Sequence, residues 1–124
     1  MRTPWTGSPT GVTGGIGAAV TNCQNMMGAT LPGGKTFWLK YALLGYQGAV
    51  TGSRFFLGDA TLQGTTYDAP RYGPTIRVVL AVSGGASSIS KMFKFDDPGI
   101  KFMNNPIICT TATEYYAAFG GYLE

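Results

Sequence analysis

The feature that most constrains this chain is a period of two. Ile76, Val78, Leu80 and Val82 alternate with Arg77, Val79 and Ala81. Alternation at that period puts successive side chains on opposite faces of an extended backbone. The same period opens at 35–46, with Phe37, Leu39, Tyr41 and Leu43 on one face and Trp38, Lys40, Ala42 and Leu44 on the other. Further short extended segments are predicted over 53–57, 62–67, 74–83, 87–95, 100–103, 107–110 and 114–122. Glycine and proline punctuate them about every 8–12 residues, and no long helical period intervenes. Gly84-Gly85 has the chemistry of a tight hairpin turn joining 74–83 to 87–95. Gly58-Asp59-Ala60 and Asp97-Pro98-Gly99 also read as turns. The expected fold is an all-β antiparallel sandwich, of jelly-roll or Ig-like variant, over 35–124.

Residues 1–34 have a different character. They hold six Thr, eight Gly and three Pro, and Arg2 is their only charged side chain. This composition predicts an extended N-terminal arm, with one helical turn near 18–27, lying against the sandwich or a neighbour.

Several strands are apolar on both faces. Trp38 and Leu44 oppose Phe37 and Leu43, Ile107 and Ile108 are adjacent, and so are Tyr115 and Tyr116. A half-buried strand needs only one such face. The surplus therefore lies under the arm or in contacts between subunits, and contiguous apolar surface marks interaction sites. Trp5, Ile16, Met26, Met27, Trp38, Leu44, Tyr72 and Tyr116 are the candidate interface residues. Charged residues are only 12% of the 124 and the net charge is +3, so few charges are available to face solvent.

Familiar chemistries find little footing. The chain has no His, which excludes a His-dependent triad and His-ligated zinc or haem. Gly15-Ile16-Gly17 follows no strand and lacks the third glycine and the acidic ribose partner of a dinucleotide site. Asp96-Asp97 reads as turn capping rather than a proton-sharing pair. No catalytic, cofactor, metal or small-molecule site is expected, and the chain is not read as an enzyme. Arg71, Arg77, Lys91, Lys94 and Lys101 interleave with Phe93, Phe95 and Phe102, yet the net charge is small for a nucleic-acid binder, and no direct binding is expected. No apolar run approaches the ~20 residues of a membrane helix, and no apolar signal-like segment follows Arg2. In a chain read as cytoplasmic, Cys109 is expected to be a small buried hydrophobe, and a disulfide to Cys23 is disfavoured.

The segment Phe95-Asp96-Asp97-Pro98-Gly99-Ile100-Lys101-Phe102, followed by a turn, a short apolar strand and a Tyr-rich last strand, resembles the C-terminal half of small β-sandwich virion proteins of tailed bacteriophages. The resemblance covers about residues 74–124. One departure stands at Asn104-Asn105-Pro106, where such proteins usually carry an Asn-Gly turn. The resemblance implies a structural protein of the virion, assembled in the host cytoplasm. Within that class a capsid decoration (cement) protein fits best, with the major capsid protein or copies of itself as partners. Tail, neck and fibre-base parts are the other virion roles. The alternative from a different class is a free carbohydrate-binding sandwich using Trp38, Tyr41, Tyr72 or Tyr116 as stacking platforms.

Overall fold

The computed structural model describes residues 2–8, 10–12, 23–46, 52–60, 75–83, 89–110 and 114–124. Within them ten strands and no helix occur. These are β1 (Thr3–Gly7), β2 (Thr10–Val12), β3 (Cys23–Asn25), β4 (Phe37–Tyr46) and β5 (Gly52–Ala60). They are followed by β6 (Thr75–Ser83), β7 (Ile89–Lys94), β8 (Ile100–Phe102), β9 (Asn105–Thr110) and β10 (Glu114–Leu123).

All described pairings are antiparallel and form two sheets. Sheet A runs β1-β10-β4-β7, with β2 also on β10 and β8 also on β4; sheet B runs β3-β9-β5-β6. β1 and β2 share one side of β10, and β7 and β8 share one side of β4. Counting each such pair as one interrupted strand gives the orders 1-8-3-6 and 2-7-4-5. That is the strand order of a jelly roll.

The core lies between the sheets. Sheet A contributes Phe37, Leu39, Ala42, Leu44, Phe102, Tyr115, Ala117 and Phe119, and sheet B contributes Phe55, Leu57, Leu80, Val82 and Ile108. Phe55 and Tyr115 meet across the gap with ring centroids 6.3 Å apart, edge to face. The alternation read along 74–83 holds for the described side chains: Val78, Leu80 and Val82 face the core, while Arg77 and Val79 are exposed.

Three expectations are corrected, and the open choice between the sandwich and a neighbour for the first 34 residues is decided for their described parts. First, the strands flanking Gly84-Gly85, a pair that itself lies outside the described residues, do not pair with each other. β6 pairs with β5 and β7 with β4, so the connection passes from one sheet to the other. A glycine pair marks a change of direction but cannot specify the sheet in which the next strand lands. Second, residues 23–27 form a strand and a turn rather than a helical turn. Third, the described parts of the first 34 residues are built into this chain's own sandwich. β1 and β2 pair with β10 and β3 pairs with β9. Trp5 stands edge-on to Phe37, with centroids 5.0 Å apart, and Met26 and Met27 are core side chains. Fourth, Cys109 is buried as expected, but it is disulfide-bonded rather than a free thiol. Cys23, the other cysteine of the chain, stands directly opposite it in the β3–β9 register. The predicted segment at 62–67, with Ile16 and Tyr72, lies outside the described residues.

Candidate functional site

The outer face of sheet A is set by one irregularity. Gly120 pairs with Tyr41 and Gly121 with Leu39, so Lys40 is an extra residue, a β-bulge. Gly121 permits it, because a Cβ there would fall 1.9 Å from the Trp38 carbonyl oxygen. The bulge reverses the facing of the strand beyond it. Phe37 and Leu39 point into the core and so do Ala42 and Leu44, while Trp38, Tyr41 and Leu43 take the outer face. This revises the unbroken alternation expected along 35–46. Leu44, a candidate interface residue, is a fully buried core residue.

Register then arranges the outer face in transverse rows. Tyr122, Trp38 and Lys101 form the first, Gly120, Tyr41 and Lys94 the second, Ala118, Leu43 and Met92 the third, and Tyr116, Gly45 and Ser90 the fourth. Two tyrosines lean across the strands. A Cβ on Gly45 would meet the Tyr116 ring at 2.3 Å, and one on Gly120 would meet the Tyr41 ring at 2.2 Å. Each glycine thus makes the space its cross-strand tyrosine fills, a pairing that covers exposed backbone with aromatic surface.

The first row is closed by charge. Trp38 and Tyr122 stack with centroids 6.5 Å apart. The Arg2 guanidinium lies 4.2 Å above Tyr122, and Lys101 Nζ lies 5.6 Å from the Trp38 ring. Tyr122 Oη donates to the Pro98 carbonyl at 3.0 Å, which ties β10 to the turn between β7 and β8. In that turn, as the sequence predicts, Gly99 takes a φ of 107°. The Asp97 carboxylate accepts from Arg2 Nη1 and Lys40 Nζ, both at 3.4 Å. The hydrogen bond from Lys40, then the charges of Arg2 and Lys40, hold the Asp97 carboxyl below its ordinary value. Its described partners are thus cations of other segments rather than the turn's own amides.

Beside this row the sheet opens into a depression of about 350 Å³, lined by Lys40, Tyr41, Met92, Lys94 and Phe95. Met92 is about half exposed there, at 48%. Phe95 is held at its margin by a backbone hydrogen bond from its amide to the Lys40 carbonyl, 2.9 Å.

The second polar constellation is structural. Asp59 was expected in a turn but lies in β5, buried, and its carboxylate accepts from the amides of Met103 and Asn104 at 2.9 Å each. Arg77 Nη2 stands 3.5 Å from the same carboxylate. Asp59 therefore anchors the turn between β8 and β9. The sequence signal was present, as Asn104-Asn105-Pro106 cannot make a two-residue hairpin, but nothing local identifies Asp59 as its support. Among the described residues, three buried polar atoms, Asn25 Oδ1, Trp38 Nε1 and Tyr115 Oη, have no hydrogen-bond partner. Among the described residues no cluster of three or more Cys, Asp or Glu is placed to hold a metal ion.

Of the candidate interface residues, Trp38 and Tyr116 share this outer face, with Tyr41 from the alternative reading between their rows. Trp5, Met26, Met27 and Leu44 are packed in or against the core. The sequence reading missed Leu43, Met92 and Tyr122 as members of the face; the Gly120-Gly121 pair was the available sign that the neighbouring strand bulges. No family model, no curated protein and no solved structure matches this chain.

Proposed function

We propose that this protein is an adhesive structural subunit, of the virion decoration kind, that docks on neighbouring coat subunits through the outer face of sheet A. The observation that carries the reading is the row of Ala118, Leu43 and Met92 between rows containing Tyr41 and Tyr116, an apolar patch on an open sheet face. Contiguous apolar surface is characteristic of interaction sites. The low charged fraction of 12% supports the same reading. Jelly-roll sandwiches serve in viral capsids and in lectins, an analogy of architecture that agrees with adhesion without selecting a partner.

The test is to purify virus particles from the source that encodes the chain and quantify it against the coat protein. A fixed, high copy number per particle is expected, and Leu43→Asp should fold yet be lost from the particles. Absence of the wild-type chain from all particles overturns the proposal.

A glycan-binding module is the second reading, favoured by Tyr41, Tyr116 and Trp38 sharing one face. Retardation by soluble polysaccharides in affinity electrophoresis, abolished by Tyr41→Ala, would select it.

A further inference from the structure

We infer that the depression between β4 and β7 receives an acidic segment of a partner protein, anchored by an apolar side chain. The inference rests on the adhesive reading and specifies the chemistry of the docked partner. Tyr41 and Met92 give the floor its apolar surface, Phe95 stands at the margin, and the rim carries Lys40 and Lys94. Apolar walls with a few placed polar groups are the usual make-up of a binding site.

The charge of the surroundings selects the occupant. Of the cations on or beside this sheet, Arg2 and Lys40 share Asp97, and Arg2 also reaches Glu124 at 3.9 Å. Lys94 and Lys101 have no carboxylate partner among the described residues, and Lys91 lies over the Phe93 ring at 5.1 Å. Lys94 therefore gives the rim a positive charge with no carboxylate partner among the described residues. A second copy docking by the same face would bring together two faces that each carry Lys94 and Lys101, and like charges in apposition discriminate against a partner. A nucleic-acid strand needs cations that track its backbone. Here the Ala118, Leu43 and Met92 row, without a cation, lies next to the Lys94 row. Carboxylates flanking an apolar side chain satisfy both the rim and the floor.

The probe is a blocked synthetic hexapeptide with two acidic residues on each side of a Leu-Phe pair, titrated into the isotopically labelled full chain. Amide shifts are expected at Tyr41, Met92, Lys94 and Phe95. Lys94→Glu should weaken binding by about tenfold or more, Lys94→Arg should retain it, and added salt should weaken it. The isosteric amide peptide should not bind. Lys94 is an exposed edge residue, so circular dichroism of the two variants should match the parent. Equal binding of the neutral peptide, shifts elsewhere, no shifts at all, or stronger binding of a dodecathymidine control at the same amides would each overturn the inference. Should the peptide fail while the wild-type chain is still found on particles, the acidic-partner inference falls and the adhesive reading stands.

Discussion

The inner strands β9 and β10 occupy matching places in the two sheets, each between two partners, yet they treat their outer faces differently. On β9, Ile108 faces the core, and Ile107 and Cys109, which point the other way, are also buried, at 0% and 1% exposure. On β10, Tyr115, Ala117 and Phe119 face the core, and Tyr116 and Ala118 on the other side are only half-buried. Sheet B is therefore closed along its inner strand β9, while sheet A leaves its outer face available. Apolar residues on both sides of a strand thus have two different meanings in one molecule. At 107–109 both sides are buried within the chain; at 115–118 one side stays partly exposed.

The strongest way to break this comparison is truncation. Ile107→Ala should cost about 4 kcal/mol, as for other fully buried aliphatic side chains, whereas Leu43→Ala on the open face should cost less than about 1 kcal/mol. Urea denaturation of both variants checks the pair, and equal costs would erase the distinction. Reducing the Cys109 disulfide should lower stability by about 3 kcal/mol, since the bond closes a long loop in the unfolded chain. Denaturation with and without reductant measures it. Asp59→Asn should cost about 2 kcal/mol, because the amide keeps one acceptor for the Met103 and Asn104 amides and gives up the charge facing Arg77.

Two pH effects are smaller and opposite in sign. Burial raises the Tyr115 hydroxyl well above its ordinary value of 10.0. The unfolded chain therefore ionises first, and stability should fall as pH rises through about 10. Asp97 has a lowered value, so its contribution is present above its ordinary 3.8 and fades as pH falls through the folded value. That contribution is small, because the partners are exposed, and it should shrink further in salt. Thermal melts across pH at two ionic strengths resolve both trends.

Much of the architecture is legible from local pattern. β6 keeps its alternation because it packs one face on the core, and short strands divided by glycine and proline lead directly to a sandwich. What escapes is whatever depends on a distant segment. The facing of Tyr41, Ala42, Leu43 and Leu44 is decided by the bulge opposite Gly120 and Gly121. The role of Asp59 is decided by a turn more than forty residues away. Pro106 sits within β9, where its missing amide would argue against an inner strand. Its carbonyl instead accepts from the Met26 amide at 2.9 Å, holding the turn after β3. The outer face of sheet A was half visible: Trp38, Tyr41 and Tyr116 stand out by type, but only register shows that they share a surface with Met92.

The pairing of β1 with β10 and β3 with β9 has a consequence in time. Each of the earliest strands waits for one of the last before its backbone hydrogen bonds exist. Until β9 and β10 have been synthesised, β3 has no described partner and β4 lacks a neighbour on one side. Such order delays closure of the sandwich and favours folding in milliseconds to seconds rather than microseconds. In that interval the apolar strands are exposed to other chains. Stopped-flow refolding should therefore show its fast phases weakened at high protein concentration, with association competing for the unclosed sheet edges.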